Sequence, residues 1–577
     1  MTKRYLLSGI LVLTLAACAN PLDVSNLNDP DRNRTFSNPQ DLQVFIAGLY
    51  SVAHGATLGA QNDGLQTQMM VMSMENVSGL ANFAMGPRGG IPRNPITNQR
   101  GAQGNVGNYN DWLRGHRAAR QAALGYAALD NVNLGSPAAQ GRARLFCRFV
   151  QGVALGNLAL AYDSASILTE ADNPQADAGV TVALSGYRAV MTAALGYLDS
   201  AIALANANPT AFPFPVTANY WINGIGVTQA QFIQIARSYK ARFRANVART
   251  PAERADVGNG GIVDWAQVIA DANAGITVNF DPQMDRLNGW DIAWYAQHHA
   301  GAQWHQMSQF WLGQADTSGG YAAYLANTVP STRTLILIVT PDRRFPQGTT
   351  RTAQNAAPGT GSAGQPFANT PYFRNRPSSS DIAGDPLSVS MYDFWRGRAF
   401  QQALRVGRYP VMTAAEIRLL AAEGYLRIPA PNFVQAINRI NASRGDTVGG
   451  NIAGPGFLPR IPLTVVDTIS VAVPGSAAGC VPKVPDATAS YRAARCGNIW
   501  DALKYEYRLE TAYTGYGNWF FPGRGWGDLP QYTAIQWPVP YNEMDARGQA
   551  FYGFGGPGGP SGAAAGNYGL FAPGGVY

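Results

Sequence analysis

The 577-residue chain is poor in charge and especially poor in lysine. Charged side chains make up 14% of it, and only four of its 43 basic residues are lysine (Lys3, Lys240, Lys483 and Lys504). No run of five or six basic residues occurs, which argues against a nucleic-acid partner in spite of the formal charge of +7. Because 46% of the residues are hydrophobic, the sequence predicts a folded protein with a large core.

Catalytic and metal-binding motifs are scarce as well. The sequence has no HExxH, GxSxG or CxxC motif. A GxGxxG match from Gly359 to Gly364 lies among Ala, Pro, Asn and Gln with no strand before it or helix after it, so we interpret it as a loop. We expect no enzyme activity, no cofactor and no metal, although His298, His299 and His305 near Asp291 leave a metal site as a less favoured alternative.

The N-terminus reads as an export signal. Lys3 and Arg4 precede an apolar run that ends near Leu15 and is too short to span a bilayer. The run closes with Leu-Ala-Ala-Cys, which resembles the lipobox of bacterial lipoproteins, whose cysteine is acylated; an ordinary signal peptide with a chance cysteine is the alternative. We therefore interpret residues 1–17 as a signal peptide, Cys18 as the lipid anchor, and 18–38 as anchor and tether. Since no later stretch reaches the roughly 18 apolar residues of a membrane helix, we expect attachment to the membrane by lipid alone.

Three further cysteines fit an exported protein. Cys480 and Cys496 bracket a loop rich in Pro and Ala, and a disulfide between them would stabilise the fold by roughly 3 kcal/mol in the chain-entropy model. Cys147 lies inside an apolar helical pattern without a neighbouring His or acid. We interpret Cys147 as a buried thiol rather than a nucleophile.

Amphipathic helices dominate the pattern of the chain. Apolar residues recur at helical spacing in stretches that begin near residues 39, 110, 136, 185, 228, 265, 413, 433 and 499. Thr228-x-x-Gln231 and Thr413-x-x-Glu416 are typical of helix starts, and small residues between Gly152 and Ala161 leave room for a close helix neighbour. The stretches occur in pairs, so we predict a mostly α fold on a tetratricopeptide-like helical-repeat scaffold without a strict 34-residue period.

Two regions depart from helix pairing. Residues 287–410 form a loop-rich, aromatic insertion with one apolar, strand-like run from Leu335 to Val339, and residues 411–577 form an irregular C-terminal region around the last helix pair. We expect the insertion to pack on the N-terminal helical-repeat region, 39–286, rather than to form an independent domain.

Several segments together resemble the SusD/RagB family of outer-membrane nutrient-binding lipoproteins. Residues 409–423 (YPVMTAAEIRLLAAE) and 437–445 (INRINASRG) resemble the repeat helix pair of that family. Residues 505–510 (YEYRLE), 515–520 (GYGNWF), 524–527 (RGWG) and 537–544 (WPVPYNEM) resemble its C-terminal signature. Thr514 stands where an acid is usual, and Phe521-Pro522 replaces Asp-Leu.

The resemblance implies a surface-exposed lipoprotein of the outer membrane that captures an oligosaccharide. It further implies a partner, a SusC-like TonB-dependent transporter for which the protein acts as a lid. Peptide or another non-sugar cargo with the same lid role is the second interpretation, a secreted carbohydrate-active enzyme the third, and a scaffold that binds only protein the fourth.

The candidate ligand residues fall in two segments. The first is an aromatic segment with interleaved amide side chains: Trp290, Trp294, Tyr295, Trp304 and Trp311. Aromatic rings suit the apolar face of a sugar, and amides suit its hydroxyl groups. An equally favoured interpretation is that these aromatic residues belong to the core of a helix. The second is implied only by the family resemblance: Asn82, Phe83, Arg88, Arg93 and Asn94.

One carboxylate pair could suggest hydrolysis. Glu506 and Glu510 lie four residues apart with Arg508 between them, on one face of a predicted helix. Because that spacing does not place two carboxylates on opposite sides of a glycosidic bond, we interpret them as members of an ion-paired structural helix.

Overall fold

The computed structural model describes residues 35–59, 64–78, 85–90, 92–172, 181–292, 305–356, 372–376, 378, 389–444, 479–558, 562–566, 568–570 and 576. The predicted signal peptide, Cys18 and nearly all of the tether lie outside these residues, as does the GxGxxG match.

The N-terminal half is built almost entirely of helices. Its helices and short strands are α1 Pro39–Ala47, α2 Leu49–Gly55, α3 Leu65–Met72, β1 Asn76–Ser78, α4 Met85–Gly89, α5 Asn105–Ala128, α6 Pro137–Ala161, β2 Ser164–Ser166, β3 Leu184–Gly186, α7 Tyr187–Ala207, α8 Gln229–Asn246, α9 Pro251–Arg254, α10 Trp265–Asn273 and β4 Gln283–Asp285. The capping box predicted at the start of α8 is confirmed, because the Thr228 hydroxyl accepts from the Gln231 N–H and the Gln231 side chain accepts from the Thr228 N–H.

The second half alternates short elements with three longer helices. Its elements are β5 His305–Met307, α11 Gln309–Leu312, α12 Gly320–Ala326, α13 Arg351–Asn355, β6 Phe373–Asn375, β7 Tyr392–Phe394, α14 Arg398–Gln402, β8 Val406–Arg408, α15 Ala414–Arg427, α16 Phe433–Arg444, β9 Lys483–Pro485, β10 Ala494–Cys496, α17 Ile499–Thr511, α18 Phe520–Trp526 and α19 Tyr541–Ala546. Cys480 and Cys496 form a disulfide with their Cα atoms 5.8 Å apart.

The long helices stack one on the next. In order of contact they are α5, α6, α7, α8, α10, α15, α16 and α17. The contact between α10 and α15 joins segments that are 140 residues apart in sequence, so the stack continues across the insertion. The predicted mostly α, tetratricopeptide-like scaffold is confirmed.

Small residues of α6 allow its neighbours to approach closely, as the sequence predicts. A Cβ atom at Gly152 would lie 2.8 Å from Leu198 Cγ of α7, and one at Gly156 would lie 2.1 Å from Phe243 Cε2 of α8. Cys147 of the same helix is fully buried, and burial raises the pKa of its thiol. The buried-thiol interpretation therefore holds for Cys147.

The described strands form two-stranded antiparallel sheets rather than one large sheet. The pairs are β1–β5, β2–β3, β4–β8, β6–β7 and β9–β10. The strand-like run at residues 335–339 was predicted wrongly, because the structure has no strand there. Its N–H groups bond to side chains instead: Ile336 to Gln309, Ile338 to the Tyr392 hydroxyl, and Val339 to Asp316.

One described helix, α7, is long and apolar enough to cross a membrane by length and composition alone. This differs from the expectation that no such stretch follows the leader. The helix packs between α6 and α8 of the stack, with Val190, Ala194 and Leu198 buried. The buried face of this apolar helix therefore packs in the scaffold core.

Candidate functional site

Trp290, the first residue of the predicted aromatic segment, belongs to the core. Its side chain is fully buried and lies against His54 and Tyr50, with ring centroids 5.2 and 5.9 Å away. Burial lowers the pKa of His54 to about 4, and its Nε2 is 2.9 Å from the Asp291 carbonyl oxygen. The ligand-face interpretation is wrong for Trp290, because this indole presents no face to solvent.

Trp311 is a core residue as well. It is 4% exposed, and its Nε1 donates to the Ser73 carbonyl at 3.2 Å. The Arg508 guanidinium lies 3.7 Å from the ring centroid and also donates to Asp528 at 2.5 Å. The ring is thus covered by a fixed cation, and the ligand-face interpretation is wrong for this residue too.

Both arginines implied by the resemblance, Arg88 and Arg93, point into the protein. Arg88 Nε donates to Gln68 Oε1 at 2.8 Å, and Arg93 Nη1 donates to the Arg88 carbonyl at the same distance. Burial lowers the pKa of Arg88 to about 10 and that of Arg93 to about 9. These side chains support the loop from inside and do not offer a ligand surface, whereas Asn94 beside them is exposed.

The remaining candidates lie outside the described residues: Trp294, Tyr295, Trp304, Asn82 and Phe83. The same holds for His298 and His299, while only the backbone of His305 is described. Within the described residues, no group of three or more His, Cys, Asp or Glu side chains could hold a metal ion.

The structure pairs two strands that lie next to the candidate segments in the sequence. Strand β1 pairs with β5 so that Ser78 lies opposite His305. Ser78 immediately precedes residues 79–84, and His305 immediately follows residues 293–304. The segments that carry Asn82–Phe83 and Trp304 are therefore connected to the same end of one two-stranded sheet, although they are more than 200 residues apart in sequence.

Glu506 and Glu510 are members of a buried ion network. Arg344 Nη1 donates to Glu506 at 2.7 Å and to Glu510 at 3.3 Å, while its Nη2 donates to Asp342 at 2.8 Å. Arg444 also donates to Glu506, at 3.2 Å. The structural interpretation of this pair holds, with one correction: the cations are Arg344, Arg444 and Arg396, whose Nη1 lies 3.5 Å from Glu510 Oε2, because Arg508 turns towards Asp528.

Burial and ion pairing make the carboxylates of this network unsuited to general acid–base catalysis. The side chains of Arg344, Glu506 and Asp342 have no exposed surface. Desolvation raises the pKa of Glu506, and the positive charge of Arg344 opposes that shift. A glycoside could not reach between two carboxylates that share one guanidinium, so this constellation can stabilise the fold but has no access to substrate.

Sequence reasoning missed a groove between α8 and the chain at 276–281. It has a volume of about 370 Å³, within the usual range for small-ligand sites. Buried apolar side chains form its floor, and polar groups rise at its margin. The lining is Ile225, Val227, Gln231, Gln234, Ile235, Ile276, Val278, Asn279, Phe280, Asp281 and Arg408.

The polar margin of the groove contains one loose ion pair. Arg408 Nη2 lies 3.6 Å from Asp281 Oδ1, beyond hydrogen-bond distance, and the two side chains are 39% and 32% exposed. Partial burial raises the pKa of Asp281, and the charge of Arg408 counteracts the rise. Both groups can turn to a ligand, so the groove offers a donor and an acceptor over an apolar floor.

The signal for this groove in the sequence is weak. Gln231, Gln234 and Ile235 share one face of α8, but Asp281 and Arg408 are 127 residues apart and meet only because β4 pairs with β8. That pairing sets Gln283 opposite Arg408. The local sequence pattern of neither segment predicts the pairing of β4 with β8.

Comparison with known proteins finds similarity at the level of structure only. No family model matches the chain, and no curated protein sequence matches it. A SusD superfamily protein from Bacteroides vulgatus is 13% identical, with 86% of this chain and 89% of that one covered and a TM-score of 0.49. Another from Bacteroides thetaiotaomicron is 10% identical, with coverages of 89% and 99% and a TM-score of 0.49.

A third solved structure is a chitin-binding SusD homolog from Flavobacterium johnsoniae. It is 11% identical to this chain, with 84% of this chain and 85% of that one covered and a TM-score of 0.45. These three solved structures are named as SusD superfamily proteins or as a SusD homolog.

Proposed function

We propose that this protein is a surface-exposed lipoprotein that captures an oligosaccharide at the outer membrane. In this proposal Cys18 carries the lipid anchor, and the protein acts as the lid of a SusC-like TonB-dependent transporter, which supplies the energy for uptake. The chain itself binds its cargo and does not hydrolyse it.

The observation that carries the proposal is the pairing of β1 with β5. Ser78 opposite His305 brings together the attachment points of the two segments in which the sequence places candidate sugar contacts. Aromatic rings and amide side chains at one place are what recognition of a sugar requires, since rings pack on its apolar face and amides bond to its hydroxyl groups.

The ion network at α17 supports the non-enzymatic part of the proposal. The carboxylate pair most suggestive of hydrolysis is buried and paired with Arg344. A glycosidase needs two carboxylates that face one open cleft, about 5 to 10 Å apart. Glu506 and Glu510 do not meet that condition.

A titration of the purified full-length protein in detergent tests the proposal. Oligosaccharides of several classes are added while tryptophan fluorescence is followed, and the mixtures are analysed for hydrolysis products. We expect saturable binding without products. Trp294→Ala or Trp304→Ala is expected to weaken binding by about 1–3 kcal/mol, which is about 5- to 150-fold, through loss of ring contact with the sugar.

The matched control is Trp500→Ala, which removes a partly exposed ring that Arg427 covers on α17. This variant should bind as the wild type does. Turnover of any oligosaccharide would contradict the binding-only role. Equal binding by the Trp294, Trp304 and Trp500 variants would contradict the placement of the sugar contacts.

A further inference from the structure

We propose that the captured oligosaccharide is acidic, and that Arg374 and Arg398, held against Trp395, bind its carboxylate or sulfate groups. These three residues are called the Trp395 cluster below. The proposal rests on the proposed function, because it names the charge of the oligosaccharide that is captured. Three observations carry it: an arginine without a partner, an excess of positive charge, and the position of the cluster relative to the proposed sugar contacts.

Arg374 of β6 has no partner for its charge. Its Cζ lies 4.4 Å from the ring centroid of Trp395, and among the described residues its guanidinium has no hydrogen-bond or ion-pair partner. The side chain is partly buried, so its charge is less hydrated than that of a fully exposed arginine. Contact with the indole ring orients the guanidinium and leaves its N–H groups available to a ligand.

Two other tryptophans show what a purely structural contact with arginine looks like in this protein. The arginine against Trp311 donates to Asp528 at 2.5 Å, and the arginine against Trp500 donates to Glu423 at 2.6 Å. Each of those cations is neutralised by a carboxylate of the fold. Arg374 is not, so its charge remains available to a group from outside the chain.

Positive charge exceeds negative charge around Trp395. Arg398 Cζ lies 5.3 Å from the ring centroid of Trp395. The carboxylate two residues before this tryptophan, Asp393, accepts from Arg376 Nη1 at 2.6 Å. Burial raises the pKa of Asp393 to about 6, and three guanidinium groups oppose that shift: Arg376, Arg398 and Arg374. Asp393 is thus shared among three arginines and is already bound by one of them.

The two guanidinium groups of the Trp395 cluster repel each other. Burial lowers the pKa of Arg398, and the charge of Arg374 lowers it further, while Asp393 opposes the shift. The Trp395 side chain is 8% exposed, and its indole N–H has no acceptor among the described residues, which adds to the positive potential. A bound anion would relieve this repulsion, since carboxylate and sulfate oxygens accept from guanidinium groups in bidentate fashion.

Strand pairing brings the Trp395 cluster towards the proposed sugar contacts. Ser308, next to β5, is paired antiparallel with Val389, which leads into β7, and β5 contacts β7. Because the two chains run in opposite directions, the chain from Val389 to Trp395 advances towards the His305 end of β5. Residues 293–304, which contain candidate sugar contacts, are attached at that end. The cluster can therefore meet charged groups of the same oligosaccharide.

The experiment is a calorimetric titration of the full-length protein in detergent with acidic oligosaccharides and their neutral counterparts. The acidic probes are tetragalacturonate and tetramannuronate, which carry carboxylates, and a κ-carrageenan tetrasaccharide, which carries sulfate. Their neutral counterparts are the methyl-esterified and desulfated forms. We expect at least one acidic probe to bind about tenfold or more tightly than its neutral form at low ionic strength, and added salt should reduce that preference. The probe that binds distinguishes carboxylate from sulfate.

Three variants locate the preference for acidic probes. Arg374→Gln removes the unpaired charge and should abolish most of the preference, while the affinity for neutral forms stays unchanged. Arg374→Lys keeps a positive charge but loses the bidentate guanidinium, so its preference should be intermediate. The matched control is Arg117→Gln, which removes an exposed arginine of α5 and changes the net charge by the same amount. This variant should keep the preference of the wild type.

The contrary results separate this proposal from the proposed function. Equal affinity of the wild type for every acidic probe and its neutral form refutes the acidic cargo, while saturable binding of both forms leaves oligosaccharide capture in place. A preference that survives Arg374→Gln, or that Arg117→Gln abolishes equally, refutes the Trp395 cluster as its origin. Failure to bind any oligosaccharide, acidic or neutral, refutes the proposed function and this proposal with it.

Discussion

The close approach of α6 to α8 at Gly156 yields a quantitative prediction for Gly156→Ala. The new Cβ would lie 2.1 Å from Phe243 Cε2 and 2.4 Å from Phe243 Cζ, where ordinary contact is 3.4–4 Å. The ring must therefore move by more than an ångström. The Phe243 side chain is fully buried, and its ring centroid lies 5.6 Å from that of Tyr239, so the ring has little room to move.

Overpacking of a well-packed core costs about 1–3 kcal/mol, and an overlap of this size belongs at the upper end. Replacing a glycine inside a helix with alanine gains about 1 kcal/mol of helix propensity. We therefore expect Gly156→Ala to lower the free energy of unfolding by about 2 kcal/mol. The measurement is denaturant unfolding followed by circular dichroism.

Gly196→Ala is the matched control. Gly196 lies in the interior of α7, and a Cβ there would meet no atom within 4 Å. This substitution should raise the free energy of unfolding by about 0.5–1 kcal/mol. The packing argument is refuted if both substitutions shift stability in the same direction. Restoration of stability by adding Phe243→Leu to Gly156→Ala would support it.

Three further predictions follow from buried groups. Burial raises the pKa of Glu75 to about 8, so the free energy of unfolding should fall as pH rises from 4.5 to 8, because only the unfolded chain loses this proton readily in that range. Glu75→Gln keeps an acceptor for the Tyr513 N–H and should remove that fall. The variant should therefore have a higher melting temperature than the wild type at pH 8 but not at pH 4.5. Cys480→Ser should lower the free energy of unfolding by about 3 kcal/mol, and adding Cys496→Ser should cost little more, since the loop constraint is already gone. Arg344→Met should cost about 3–5 kcal/mol in denaturant unfolding, because it leaves buried carboxylates without their cation; a loss under 1 kcal/mol would contradict the structural role of the network.

Most of the scaffold could be predicted because its signals are local. Helical spacing of apolar residues, the caps at Thr228 and Thr413, and the small residues of α6 all act within a few turns of the chain. The run at 335–339 shows the limit of such reasoning. Its composition is that of a strand, but its backbone bonds are satisfied by side chains from distant segments, and no local pattern encodes that.

The candidate site was harder to predict than the fold for a related physical reason. The residues next to Trp290 and Trp311 in the sequence do not show whether the two rings are buried. Only contacts between distant segments, His54 with Trp290 and Arg508 with Trp311, show that both rings lie in the core. The groove depends on the pairing of β4 with β8, which brings Arg408 to Asp281. Long-range pairing of this sort leaves no signature at either position alone.

The central claim, capture of an oligosaccharide without hydrolysis, is tested most directly by titrating the full-length protein with oligosaccharides and analysing the same samples for products. The account predicts a saturable change in tryptophan fluorescence that Trp304→Ala weakens and Trp500→Ala does not, with every oligosaccharide recovered intact. Release of shorter products, or no binding to any oligosaccharide class, would contradict it.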